Sequence, residues 1–314
     1  MRVAAIDCGT NSVRLLVADV DDDTLTEVER RMEIVRLGQG VDETGRLAPE
    51  ALARTFGAMR GYRKLIDQHG VTATRVVATS ATRDAANRQE FADGVREIFG
   101  VEPEVVSGAE EAELSFTGAT RGLVRLSPET EVPQGPLPPY LVVDIGGGST
   151  EFVVGSAHAE AAVSVDIGCV RLTERHLRAA GDPPSAVALE AVVADIEAAL
   201  DRVEAEVPVR RARTLVGLAG SVTTVAGIAL DLPAYDPERI HHSRISAGQV
   251  HEVTRRLLSM THGERAAVPV MHPGRIDVIG VGSLILDRLV RRFGFPQVVV
   301  SEHDILDGIA WSIT

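Results

Sequence analysis

One short pattern is written twice in this chain. Ala5-Ile6-Asp7-Cys8-Gly9-Thr10-Asn11-Ser12-Val13-Arg14-Leu15-Leu16-Val17 aligns with Val142-Val143-Asp144-Ile145-Gly146-Gly147-Gly148-Ser149-Thr150-Glu151-Phe152-Val153-Val154 at a constant offset of 137 residues. In each copy an apolar strand ends in Asp, a turn of small residues follows, and a second apolar strand leaves. Glycine and small polar residues at such a turn let backbone N–H groups converge on an anion without obstruction by Cβ. The Asp at the strand end adds a carboxylate suited to Mg²⁺ or to a metal-bound water. One such hairpin is ordinary turn chemistry. Two, with Asp, Gly and Ser at matching places, point to a duplicated architecture whose two halves each offer a phosphate loop.

The rest of the chain alternates strand and helix signals. In the first half, strands are expected near 2–7, 13–20, 25–36, 75–79 and 103–106, with helices near 49–68, 84–99 and 107–121. Pro49 suits a first helical turn, and Asp84 and Ser107 suit N-caps. Gly70 and Gly100 sit where helices stop. The proline-rich run 127–139 reads as a linker. The second half predicts strands near 141–145, 151–155, 161–166, 214–218 and 297–300. Its helices fall near 169–180, 185–206, 221–230, 247–259, 276–293 and 303–313. Interleaved strands and helices indicate an α/β protein with mixed or parallel sheets. The expected domains are 1–126 and 140–314, with the last helix able to pack back on the first.

Composition limits the function classes. With 314 residues, 45% hydrophobic and 25% charged, the chain has room for two cores of ordinary soluble type. No apolar run approaches the ~18 residues that span a bilayer, and no signal-like segment opens the chain. A cytoplasmic protein without a membrane partner is expected. Cys8 and Cys169 form no C-x-x-C pair, and burial is the expectation for both. His241-His242 is the only adjacent pair among nine histidines, and neighbours in sequence rarely chelate one ion. The net charge of −13 argues against nucleic acid as a partner and requires any phosphate substrate to meet locally placed positive charge.

Further segments carry chemistry. Ser107 and Glu110 fit a capping box, which leaves Glu111 in the first helical turn as a carboxylate able to accept a proton from water. Compensation of the helix dipole explains Glu111 equally well from this segment alone. Thr79-Ser80-Ala81-Thr82-Arg83 joins a strand to a helix, where Arg83 could clamp phosphate or simply lie on the surface. Gly217-Leu218-Ala219-Gly220-Ser221-Val222-Thr223-Thr224 is a third small-residue turn, suited to a ligand or to tight packing. Arg171 and Arg275 are candidates for positive charge.

Together these stretches resemble a known family. The two D-x-G hairpins are similar to those of the actin, Hsp70 and sugar-kinase superfamily. Within it, I-D-C-G-T-N-S (6–12), T-S-A-T-R-D-A (79–85), S-G-A-E-E-A (107–112), V-D-I-G-G-G-S-T-E (143–151) and P-G-R-I-D-V-I (273–279) resemble the exopolyphosphatase/guanosine pentaphosphatase (Ppx/GppA) family. The resemblance implies two ribonuclease-H-like domains, each a mixed sheet flanked by helices, with the active site in the cleft between them. It implies Mg²⁺-dependent release of terminal orthophosphate from inorganic polyphosphate, with guanosine pentaphosphate as the alternative substrate. It matches the catalytic base to Glu111, a metal-associated acid to Asp144 and a supporting carboxylate to Glu151; Asp7, at the same place in the first hairpin, is a candidate to share the metal. Gly9, Thr10, Asn11 and Ser12, with Gly146, Gly147, Gly148 and Ser149, match the phosphate loops. Arg83 would stabilise transferred charge, and a homodimer is implied.

Two features depart from the family pattern. Longer members continue into a helical region that helps to grip long polymers, so a short two-domain form is expected here. Leu218-Ala219-Gly220 stands where relatives usually carry a glycine pair. Two other classes share the hairpins, an ATP-dependent kinase of small metabolites and a non-catalytic actin-like scaffold. S-G-x-E-E-A and P-G-R-x-D argue against the first, and intact base and metal candidates argue against the second.

Overall fold

The computed structural model describes residues 1–21, 24–121, 123, 125–126 and 133–313. In chain order the elements begin β1 (Arg2–Cys8), β2 (Ser12–Val20), β3 (Leu25–Ile34), α1 (Val41–Thr44), α2 (Pro49–Gln68) and β4 (Ala73–Ala78). Then come α3 (Ser80–Asp84), α4 (Arg88–Phe99), β5 (Glu104–Val105), α5 (Gly108–Thr120), β6 (Arg125–Leu126) and β7 (Pro133–Gln134). The second half has β8 (Tyr140–Ile145), β9 (Thr150–Gly155), β10 (Ala159–Val165), α6 (Cys169–His176), α7 (Ala186–Glu206), β11 (Thr214–Leu218), α8 (Ala219–Ala229) and α9 (Pro237–Ile240). It closes with β12 (Arg244–Ser246), α10 (Ala247–Ser259), α11 (His262–Ala266), α12 (Ile279–Phe293), β13 (Gln297–Val300) and α13 (Ile305–Trp311). Of the expected linker, 127–132 lies outside the described residues.

Contacts divide the chain into two units, Met1–Gly118 with Ile305–Thr314, and Ala119–Asp304. The first holds a sheet of order β3-β2-β1-β4-β5 and the second a sheet of order β10-β9-β8-β11-β13-β12. In each, an antiparallel meander (β1-β2-β3, β8-β9-β10) leads into parallel strands (β4 and β5, β11 and β13). The duplication in sequence is therefore a duplication of topology. Both sheets are mixed and flanked by helices, in the ribonuclease-H-like arrangement.

The central strands are long apolar runs because both of their faces are covered. β8 and β9 are buried at every residue. On one face of the first sheet Ala4, Ile6, Cys8 and Leu15 pack with Met59 and Tyr62 of α2 and Phe91 and Val95 of α4. On the other, Val3, Ala5, Leu16 and Val77 pack with Ile305, Leu306 and Ile309 of α13. In the second unit Leu141, Val143 and Phe152 share a core with Val192, Ile196 and Leu200 of α7 and with the inner face of α12.

Several boundaries differ from the sequence reading. A helix capped by Asp84 was expected, but Asp84 closes α3, Ala85 is extended, and α4 begins at Arg88. Asn87 forces the break, since its amide bonds the Leu47 backbone twice, as acceptor from the N–H (2.8 Å) and donor to the carbonyl (3.1 Å). β3 stops at Ile34 because Arg36 takes a left-handed φ of 50°. α12 starts at Ile279 rather than 276, after a 3₁₀ turn over Pro273–Arg275. Among the described residues, no helix is long and apolar enough to cross a membrane.

Candidate active site

In the first unit the site is assembled at the C-terminal ends of parallel strands. β1 and β4 run side by side with Cys8 opposite Ala78, so the turn after β1 lies next to the start of α3. The Thr79 N–H donates to the Cys8 carbonyl (3.2 Å), and the Thr10 and Ser80 hydroxyls share a hydrogen bond of 3.0 Å. β5 pairs with β4 in turn, and the Val106 N–H reaches the Ala78 carbonyl (3.1 Å). That placement brings in the first turn of α5. Here the expected capping box is present, with Glu110 Oε2 accepting from the Ser107 N–H (2.8 Å) and hydroxyl (2.9 Å). With Glu110 so occupied, Glu111 is the buried carboxylate. Arg83 Nη1 donates to Glu111 Oε2 (3.1 Å) and to the Val106 carbonyl (3.0 Å). Arg83 and Glu111, 28 residues apart, form one ion pair.

The two hairpin turns are built alike. Gly9 N–H donates to the Ser12 carbonyl, and Gly146 N–H to the Ser149 carbonyl, each at 3.0 Å. In both, the segment after the third strand returns to hold the turn's carbonyls. Thr10 O accepts from Gly38 N–H (2.8 Å), and Asn11 O from Val35 (3.1 Å) and Arg36 (2.9 Å). In the second unit Gly146 O accepts from Cys169 N–H (3.0 Å), and Gly147 O from Val170 (2.9 Å) and Arg171 (3.0 Å). Gly148 O accepts from Arg171 Nε (2.6 Å). In a planar trans peptide the C=O and the following N–H point opposite ways. Tying the carbonyls of Gly146, Gly147 and Gly148 to α6 therefore aims the amides of Gly147, Gly148 and Ser149 to the other side. None of these amides has a backbone acceptor among the described residues. They form a nest for an anion.

Close approach explains two glycines outside the motifs. A Cβ at Gly38 would overlap the Thr10 side chain, and a Cβ at Gly168 would overlap the Gly147 carbonyl.

The charges at the hairpin bases differ between the units. Asp144 and Glu151 are directly opposed across β8 and β9, and both are buried. Ser164, opposite Glu151 in β10, donates its hydroxyl to Glu151 Oε1 (2.7 Å). Carboxylates facing each other on one strand pair repel, and a cation beside them is attracted by both. Asp7 occupies the matching place in the first unit, but its cross-strand partner is Arg14. Among the described residues, no group of three His, Cys, Asp or Glu side chains is arranged around a metal position. A Mg²⁺ ion is commonly held by one or two carboxylates, with water and phosphate oxygens completing its shell, and Asp144 with Glu151 fits that donor set.

A profile of the Ppx/GppA phosphatase family matches residues 16–314. The chain belongs to this family. It is 47% identical to the protein named exopolyphosphatase 2 of Mycobacterium tuberculosis, over 99% of this chain and 98% of that one. A crystal structure described as an exopolyphosphatase-like protein is 41% identical with a TM-score of 0.91, covering 99% of this chain and 97% of the other. The crystal structure of the Ppx/GppA family member from Aquifex aeolicus is 30% identical with a TM-score of 0.79, covering all of this chain and 97% of its own.

For a Ppx/GppA phosphatase the remaining positions fall into place unevenly. Within the first unit Asp7, Gly9, Thr10, Asn11, Ser12, Arg83 and Glu111 lie at neighbouring strand ends. Within the second, Asp144, Gly146, Gly147, Gly148, Ser149 and Glu151 share one hairpin. Arg171 lies against that hairpin, with its Nε on the Gly148 carbonyl. Arg275 instead covers the first turn of α8, its guanidinium filling the space beside Gly220 and reaching Thr224 Oγ1 (3.3 Å). Cys8 and Cys169 are buried free thiols, both pushed up in pKa by burial, Cys8 also by the charge of Asp7. His241 and His242 stack with rings 3.7 Å apart and His303 4.4 Å from His241. The sequence reading overlooked Arg14, Ser164, Gly38 and Gly168. Arg14 had a signal, since it aligns with Glu151 in the two copies.

Proposed function

We propose that this protein is an exopolyphosphatase that uses Mg²⁺ to release terminal orthophosphate from inorganic polyphosphate. The observation that carries this reading is the second hairpin, where amides aimed at an anion stand beside two opposed, buried carboxylates. Its relative in M. tuberculosis, named exopolyphosphatase 2, supports polyphosphate as the phosphoanhydride concerned. In this reading the amides of Gly147, Gly148 and Ser149, and those following Thr10 and Asn11, bind phosphate oxygens. Asp144 and Glu151 hold Mg²⁺, which when bound offsets negative charge on those oxygens. Glu111 orients the attacking water and accepts its proton. Arg83, paired with Glu111, holds that carboxylate in place and offers its guanidinium to charge on the transferred group. No covalent nucleophile is needed, because positioning and electrostatics supply most of the catalysis in phosphoryl transfer.

The test is orthophosphate release with and without Mg²⁺ from short polyphosphate, long polyphosphate and guanosine pentaphosphate, with Glu111→Gln alongside. Loss of the general base should lower kcat by about 10²–10⁴-fold, with the protein still folded because Gln keeps an acceptor for Arg83. A fall below about tenfold would remove Glu111 from that role. Release from guanosine pentaphosphate alone would replace the polyphosphate reading, and release from none would end it.

A further inference from the structure

The two hairpins match in backbone but not in charge. Aligned at the offset of 137, Asp7 corresponds to Asp144 and Arg14 to Glu151. Both pairs are directly opposed across their strands, Asp7 with Arg14 and Asp144 with Glu151. In the first, Arg14 donates from Nε (3.0 Å) and Nη2 (2.6 Å) to Asp7 Oδ2, and the Asp7 side chain is only 4% exposed. We propose that Arg14 is a positioning residue that commits the first hairpin to phosphate alone, so that the protein carries a single divalent-cation site, on the second hairpin. This inference rests on the reading that Asp144 and Glu151 hold the cation.

The reason is electrostatic. Both Arg14 bonds fall on Asp7 Oδ2, and Oδ1 is buried with no hydrogen-bond partner among the described residues. The guanidinium nonetheless offsets the charge of the carboxylate, and a dication approaching Oδ1 meets the positive charge of Arg14. The opposed acids of the second hairpin present the reverse field. One substitution between the copies, Arg for Glu, thus separates an element that takes anions from one that takes a cation and an anion together. On this proposal Asp7, expected from the duplication to share the metal, serves as the counter-ion of Arg14.

The experiment is titration of the intact protein with Mn²⁺ in the absence of phosphate, with free Mn²⁺ read by electron paramagnetic resonance. Wild type should bind one Mn²⁺ per chain. Asp144→Asn should weaken it by about tenfold or more, the usual scale for disturbing a metal shell. Asp7→Asn should leave the affinity unchanged. Arg14→Gln should admit a second, weaker Mn²⁺, and Arg14→Lys, which keeps the charge, should return the count to one. A merely structural arginine would alter stability without changing stoichiometry. The proposal is overturned if Asp7→Asn weakens Mn²⁺ as much as Asp144→Asn does, or if folded Arg14→Gln still binds one. Should Arg14→Gln not fold, the double variant Asp7→Asn/Arg14→Gln removes the unpaired buried charge, and the Asp7→Asn result decides. Unchanged binding in Asp144→Asn would sink the cation reading itself, whatever Asp7 does.

Discussion

Ala219 opens α8 with φ at 68°, in the left-handed region where an L-residue bearing Cβ is strained. The backbone there takes a conformation that glycine favours. Strain of this kind costs roughly 1–2 kcal/mol. Glycine loses more freedom on folding, which offsets part of the relief. Ala219→Gly should therefore stabilise the protein by about 0.5–1 kcal/mol, seen as a higher urea midpoint with an unchanged slope. At Gly220, one residue on, the space a Cβ would need is held by the Arg275 guanidinium, the far end of a flexible side chain. Gly220→Ala should displace that guanidinium and break its bond to Thr224 with little change in the urea midpoint. These positions also show where sequence reading runs out. The small-residue turn was plain in the sequence, but its filling by an arginine more than fifty residues away depends on how two loops meet. The pairing of Arg83 with Glu111 is of the same kind. Each was a candidate by local chemistry, and only the packing of β4 against β5 makes them partners.

At the scale of elements, local signals were read correctly where the determining partner lies within a few residues. The capping box of α5 is such a case, since Ser107 and Glu110 are three apart. Glu110 accepts from the Ser107 N–H and hydroxyl, and these bonds hold its carboxyl below the usual range. Its folded pKa is then lower than its unfolded one. The stability it contributes is present above the ordinary glutamate value of about 4.3 and is lost as the pH falls through the folded value. Glu110→Gln keeps a side chain that can reach back but cannot titrate. The gap in urea midpoint between wild type and Glu110→Gln should narrow from pH 6 toward pH 3.5, and a gap constant with pH would refute the assignment. The break between α3 and α4 was not legible, because Asn87 answers to the Leu47 backbone, forty residues away. The hold of α6 on the second phosphate loop is equally non-local. Arg171→Gln removes the bond to the Gly148 carbonyl and frees one peptide of the nest to rotate. It should raise KM for polyphosphate by about tenfold, the effect of losing one charge-assisted hydrogen bond of roughly 1.5 kcal/mol, with kcat less affected. A wild-type KM in this variant would show that the loop holds its shape without the arginine.

At the scale of the whole chain, the doubled topology follows from the doubled hairpin, but the ends of the chain are used asymmetrically. The sheet face made by Val3, Ala5, Leu16, Ala18 and Val77 is covered by Ile305, Leu306, Ile309 and Ala310. The first unit is thus closed by the last helix of the chain, and Arg30 on β3 fixes it through an ion pair of 2.6 Å to Asp307, whose side chain is 2% exposed. Nothing local in the sequence 303–313 separates this helix from the others of the second half, because its destination is set by which sheet face lacks a cover. Removing one partner of a buried pair costs about 3–5 kcal/mol, and the partial exposure of Arg30 reduces that, so Asp307→Ala should destabilise by roughly 2 kcal/mol. Deleting residues 305–314 should do far more, since it bares an apolar sheet face on β1, β2 and β4 at once. The truncated chain should bind an apolar dye and lose amide protection in those strands, while β8, β9 and β11, whose core draws on none of the deleted residues, keep theirs. Uniform loss of protection across both sheets would mean instead that the two units fold only together. Full protection in the truncated chain would show that α13 is dispensable for the first core.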